Sequence, residues 1–163
     1  MTFAAVKDAV LVFLAIYAAL LSTWNLVQAL RKDRRAIRVT AGSKIPVADN
    51  GETGRTWAHL EATNLGQRPV TIALLSFEVA PGMRIFSKGY DGRPPGMEDT
   101  HLPITIADGQ VARAHFAYSD IGHALISNGH RTLCKIVPMC EDTAGGVYRG
   151  EAWDVDPREF VGM

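Results

Sequence analysis

The sequence predicts an all-β domain, an antiparallel two-sheet sandwich, carried behind one N-terminal transmembrane α-helix. Three observations lead there: an uncharged apolar run of 22 residues near the amino terminus, five cations directly after it, and then short β-rich segments punctuated by turn residues. The 163 residues suit one folded domain rather than two. The balance of 17 Lys+Arg against 17 Asp+Glu offers no basic surface of the kind a nucleic-acid binder needs. Two cysteines exclude a disulfide scaffold, and no C-x-x-C pair suggests structural zinc.

Residues 1–8 read as a short tail, and residues 9–30, AVLVFLAIYAALLSTWNLVQAL, as the membrane span. At 1.5 Å per residue the run is about 33 Å long, enough for a hydrocarbon core of roughly 30 Å. Eleven of its residues are Val, Leu, Ile or Phe. On the insertion scale these contribute roughly −3 to −7 kcal/mol. Ser22, Thr23, Asn25 and Gln28 subtract from that, and Trp24 suits an interfacial anchor. The rival reading is a cleaved signal peptide, with Lys7 as n-region, Ala9 to Leu21 as h-region and Val27-Gln28-Ala29 as cleavage site. Asp8 beside Lys7 opposes it, as do the cations Arg31, Lys32, Arg34, Arg35 and Arg38 immediately afterwards. Under the positive-inside rule those five, in the juxtamembrane segment 31–38, place the C-terminal domain in the cytoplasm. Beside a bilayer they also attract anionic lipid head groups, at about 1 kcal/mol each. Along the helix Ala15, Ala18, Ser22, Asn25 and Ala29 recur at spacings of three and four. Such a seam lets helices approach closely, and Asn25 can bond across to another membrane protein or a second copy. An Ala-rich helix also shows such seams by chance.

Residues 39–156 read as the sandwich and 157–163 as a C-terminal tail that either packs back or stays free for a partner. The expected strands are Ala36–Ala41, Thr56–Asn64, Pro69–Val79, a weak Met83–Ser87, Leu102–Ile106, Val111–Tyr118, Thr132–Cys140 and Gly146–Val155. Asp120–Ile126 reads as one helical turn. Asn64 to Pro69, Asp108-Gly109 and Asp142 to Gly146 supply the bends. Pairing Thr56–Asn64 antiparallel with Val111–Tyr118 sets His59 against His115 and Glu61 against Arg113 on one side, Leu60 against Ala114 and Ala58 against Phe116 on the other. One face is then apolar and the other polar, as a half-buried sheet requires. About seven such strands suggest the immunoglobulin-like sandwich.

An apolar helix, an R-K-D-R-R stop and a domain containing N-L-G-Q-R-P-V-T-I (Asn64 to Ile72) resemble small bacterial membrane-anchored proteins with one Ig-like or fibronectin-like sandwich. The resemblance covers most of the chain as a pattern and implies a fold without a catalytic residue. The chain departs from the antibody pattern in lacking its Cys…Trp…Cys spacing.

No chemistry stands out. Cys134 and Cys140 share one expected strand face about 20 Å apart, too far for a disulfide. Cys134 suits a small buried apolar residue, and His130 four positions earlier is a weak partner for a nucleophile. His59 and His115 read as surface histidines, because two imidazoles without a third ligand make a poor metal site. No phosphate loop or nucleophile elbow is present. The expectation is therefore no enzyme, no cofactor and no metal. The most informative stretch is the long connection 81–101, where Met83, Ile85, Phe86, Tyr90 and Met97 either anchor a partner or bury themselves in the domain. The reading is an accessory subunit or adaptor of a membrane complex, with a ligand-binding or sensor module using that loop as the alternative. Its partners are membrane lipids and another membrane protein or a second copy, not nucleic acid.

Overall fold

The computed structural model describes residues 3–32, 34–47, 53–80, 82–88, 94 and 96–163. The chain divides into two units, residues 1–34 and 35–163. The first is helix α1, Phe3–Lys32, which begins six residues before the uncharged run and takes in Lys7 and Asp8. Ala and Leu favour the helix. Within it Val10–Ala29, 20 residues near the amino terminus, is long and apolar enough to cross a membrane, a test that a signal sequence also passes. Thr23 satisfies its own hydroxyl by donating from Oγ1 to the Ala19 carbonyl at 2.9 Å.

The second unit is mostly β, and every strand pairing in it is antiparallel. In chain order it holds β1 Ile37–Lys44, β2 Trp57–Asn64, β3 Val70–Ala80, β4 Met83–Phe86, β5 Ile104–Ile106 and β6 Val111–Ala117, then α2 Tyr118–Ser127, β7 Cys134–Asp142, β8 Val147–Arg149, β9 Trp153–Val155 and α3 Pro157–Gly162. A smaller sheet has the order β1-β2-β6. The larger has β4-β3-β7-β8, with β5 also on β3 and β9 also on β7.

Alternation sorts the side chains between faces. Ala58, Leu60 and Ala62 of β2 and Ala112, Ala114 and Phe116 of β6 point inward, against Ile72, Leu75 and Phe77 of β3 and Ile136 and Cys140 of β7. The small sheet is lined largely by alanine, so the bulky residues of the large sheet fill the space between. Phe77 meets Phe116 edge-on, with centroids 4.9 Å apart. The β2–β6 register pairs His59 with His115, Leu60 with Ala114, Glu61 with Arg113 and Ala58 with Phe116, as the alternation predicts. On the outer face of the large sheet, Ser76 lies opposite Met139 and both are fully buried. The pairs Arg84–Glu141 at 2.9 Å and Arg149–Glu78 at 2.8 Å span that row and cover it.

The chain joins the sandwich at one end, where two buried polar groups fix the bends. Asn64 donates from Nδ2 to the carbonyls of Arg68 and Ile106 and accepts from Gly66 N at Oδ1. Asp142 accepts from Arg35 Nη1, Tyr148 Oη and the amides of Ala144 and Gly146. Helices α2 and α3 pack together at the other end.

Two segments differ from expectation, and the C-terminal tail takes one of the two courses expected for it. Asp120–Ile126 is not a single turn but part of the ten-residue α2, anchored by fully buried Ile121 and Leu125 one turn apart. Gly146–Val155 is not one strand: it breaks at Gly150, whose amide bonds the Pro138 carbonyl at 2.8 Å and where a Cβ would stand 2.5 Å from the Val39 carbonyl oxygen. The tail packs back as α3, capped by Asp156 Oδ1 accepting from Arg158 N, with Pro157 opening the helix. Phe160 stacks on Tyr118 at 4.3 Å.

Candidate functional site

Among the described residues, an open groove of about 700 Å³ lies between the segment Gly82–Lys88 and one side of α2. β4 ends the larger sheet, so one of its edges pairs with β3 and no described strand pairs with the other. α2 places Tyr118, Ile121, Gly122 and Leu125 in the core. Its opposite side brings Asp120, His123, Ala124, Ser127 and Asn128 to the groove. Those positions follow the three-and-four spacing of a helix face. Gly82 holds φ at +90° at the β3–β4 turn, a conformation glycine adopts without strain, and this sends β4 back along β3.

Of the loop residues singled out in the sequence, Met83, Ile85 and Phe86 line the groove. Ile85 is buried at 7% exposure and belongs to the core, whereas Phe86 is 50% exposed. Met97 is buried against Trp57 and Ala117, so it serves the domain rather than its surface. Tyr90 lies outside the described residues. Part of the apolar content of this connection therefore holds the connection down. Met83 is partly buried against the core, and Phe86 stays at the surface.

Polar bonds tie the same connection to β6. Ser87 Oγ donates to Asp99 Oδ2 at 2.7 Å and also approaches the His115 carbonyl at 2.8 Å. Asp99 Oδ1 accepts from the His115 amide at 2.7 Å and lies 3.2 Å from His115 Nδ1. Thr100 pairs with Arg113 through main chain and side chain. His115 is consequently buried at 1% exposure, not a surface histidine. His59 leans over Gly42, where a Cβ would stand 2.5 Å from its Cε1. Burial lowers the His59 pKa, and the charge of Lys44 adds to the effect. Among the described residues no group of three His, Cys, Asp or Glu is placed to hold a metal ion.

The cysteines are free. Burial pushes the Cys140 thiol up to about 12, with the charges of Asp142 and Glu141 acting the same way. Cys134 is raised by burial and then by Asp156. Both shifts run opposite to what a thiolate nucleophile needs. Of the juxtamembrane cations, Arg35 is engaged with Asp142 at 3.2 Å, while Arg34 and Arg38 are exposed. The side chains of Arg31 and Lys32 lie outside the described set. Ala15, Ala18, Ser22, Asn25 and Ala29 all fall on α1 with exposed side chains.

The wall contributed by α2 was not legible as a site in the sequence. Its signal was the run of small and polar residues at helical spacing opposite Ile121 and Leu125, but nothing local ties that run to β4.

No family model and no curated protein matches the chain. Among solved structures it is similar to one described as "X-ray structure of Northeast Structural Genomics Consortium target SoR45". The identity is 10% and the TM-score 0.31, over 74% of this chain and 86% of that one. A likeness of that size carries no argument.

Proposed function

We propose that this is a single-pass inner-membrane protein that displays an immunoglobulin-like interaction domain in the cytoplasm. In this reading it is a non-enzymatic accessory subunit or adaptor of a membrane complex. The observation that carries the reading is the open groove between β4 and α2, where a sheet edge that no described strand pairs with and half-exposed Phe86 face a helix side of small and polar residues. The strand order β1-β2-β6 against β4-β3-β7-β8 supports the immunoglobulin-like description. The apolar run Val10–Ala29 and the cations after it support the anchor and the orientation. The resemblance to small bacterial membrane-anchored sandwich proteins points the same way. A second reading, a ligand-binding or sensor module, draws on the groove volume, which falls among those of small-molecule sites. Openness along a strand edge favours a macromolecular partner over an enclosed ligand.

The test is affinity purification of the full chain from solubilised membranes. Deleting residues 83–99 would remove β4 and the Asp99 contacts to β6, so a surface substitution is the better control. Ser127→Trp fills the groove from an exposed position. A stoichiometric membrane protein that co-purifies with wild type and is lost with Ser127→Trp supports the reading. Equal recovery with both chains contradicts the groove as its seat. Reporter fusions at the C-terminus test orientation, and an active periplasmic alkaline phosphatase would reverse it.

A further inference from the structure

The end of the sandwich at which the chain enters differs in charge from the rest of the domain. Three turns form it: residues 64–69 between β2 and β3, 107–110 between β5 and β6, and 143–146 between β7 and β8. Backbone bonds join the first two, from Gly109 N to the Asn64 carbonyl at 2.8 Å and from Asn64 N to the Gln110 carbonyl at 3.1 Å. The third is held by Thr143 N donating to the Thr71 carbonyl at 2.9 Å, close to the start of β3. Leu65 stands 47% exposed on this end. Its exposure is fixed rather than loose, because fully buried Asn64 holds the turn through three side-chain bonds. Leu65 N also donates to the Ala36 carbonyl at 2.7 Å. Val147, 39% exposed, opens β8 at the same end. We propose that this end is a membrane-contact face, where Leu65 enters the interfacial layer of an anionic bilayer and Arg68 meets its head groups. The proposal rests on the reading of Val10–Ala29 as a membrane span and adds a peripheral contact made by the folded domain itself.

Two observations name a bilayer as the occupant. The first is the tether. Ala36 follows Ala29, the last residue of the apolar run, by seven residues, and a chain of seven residues reaches at most about 25 Å. Leu65 is bonded to Ala36, so this end of the sandwich stays within about that reach of the span's end, however the two units are turned. The second is charge. Residues 39–163 carry 11 positive and 15 negative side chains, yet residues 65–69, 107–110 and 143–147 hold one cation, Arg68, and one acid, Asp108. Asp142, just before the third turn, is buried and engaged by Arg35. The acidic excess that an anionic bilayer would repel therefore lies elsewhere on the domain. Arg38, exposed on β1 opposite Thr63, adds a second cation at this end. None of the described ion pairs engages the guanidinium of Arg68 or Arg38, which leaves both able to meet lipid phosphates. An apolar side chain flanked by arginines suits the boundary between head groups and acyl chains.

The experiment uses the full chain reconstituted into phosphatidylcholine vesicles, with or without one quarter phosphatidylglycerol. An environment-sensitive fluorescent amino acid replaces Leu65 or, as the control, Leu133. Leu133 is 67% exposed and directly precedes β7, at the opposite end of the sandwich. Quenching is read from lipids that carry a nitroxide just below the head group in both leaflets. The expected result with phosphatidylglycerol is quenched, blue-shifted emission from position 65 and unquenched emission from position 133. Arg68→Glu lowers the ratio of docked to free domain about fivefold or more, and omitting phosphatidylglycerol does the same. Arg38→Glu, on a strand rather than in a turn, gives a second charge readout that is independent of the turn's fold. Three results overturn the proposal: position 65 in water in both kinds of vesicle, equal quenching at positions 65 and 133, or quenching at position 65 indifferent to phosphatidylglycerol and to both arginine variants. Insertion of the span is read in parallel as resistance to carbonate extraction. A carbonate-resistant chain with position 65 in water removes the membrane-contact face and leaves the anchor reading standing. A chain that carbonate releases removes both.

Discussion

Replacing Asp142 by alanine perturbs the turn after β7 and its contact with Arg35 just before β1. Its side chain is 1% exposed and accepts four hydrogen bonds: Gly146 N at 2.8 Å, Ala144 N at 2.9 Å, Tyr148 Oη at 3.1 Å and Arg35 Nη1 at 3.2 Å. Burial pushes the carboxyl pKa up, but these donors outweigh it and hold the group below its ordinary value. The Arg35 side chain is 38% exposed and can turn to water, so its share is at most about 1 kcal/mol. The two amides sit in a tight turn that orders them toward the carboxylate, and partly exposed Tyr148 loses its bond to Oδ2. Bonds to a charged acceptor contribute about 1.5–3 kcal/mol each before partial re-solvation. Asp142→Ala should therefore remove about 3–5 kcal/mol, the sum of these bonds after partial re-solvation. For a domain of this size that is a fall in Tm of about 10–20 °C. The assay is thermal unfolding of the full chain in micelles, followed by near-ultraviolet circular dichroism. A depressed carboxyl stabilises above its unfolded value of about 3.9, and the contribution is lost as pH falls from there through the folded value. Wild type and variant should thus converge in acid. A fall of under about 3 °C, or a separation that is the same at pH 3 and pH 7, would refute the reasoning.

Other expectations follow from the same contacts. Asp99→Ala should free the connection from β6, with a loss of about 1–3 kcal/mol and faster hydrogen exchange at the His115 amide; unchanged exchange would contradict the role given to Asp99. Because burial and Lys44 depress the His59 pKa, His59 stabilises the fold above about pH 6.5, and that contribution is lost as pH falls through the folded value. His59→Gln should flatten the acid limb of the stability curve between about pH 6.5 and pH 5, and an identical limb would count against it. Cys140, held near 12, should resist maleimide at pH 7.5 until the chain is unfolded, while partly exposed Cys134 reacts slowly in the folded state.

The alternation of β2 and β6 was enough to find their register, because Ala58, Leu60 and Ala62 must share a face with Ala112, Ala114 and Phe116. The same local pattern misjudged His115, since what buries it is Asp99, sixteen residues away and in a connection without periodicity. α3 did have a local signal: Asp156 as cap, Pro157 in the first turn and Glu159 after it. The groove had almost none. Phe86 could be singled out as apolar in a long connection, but its sharing a groove with Ser127 depends on where the sheet ends and on which face of α2 the core claims. Pairings of that kind are fixed by tertiary packing, which no window of sequence contains.

The central claim, that the β4–α2 groove is where this domain meets its partner, is most directly tested by placing a photo-crosslinking residue at Ser127 or Glu151 of the full chain and irradiating intact membranes. Both positions are exposed, and only the first lines the groove. The account predicts a discrete crosslinked polypeptide from position 127 and none from position 151. Equal crosslinking from both, or none from position 127, would contradict it.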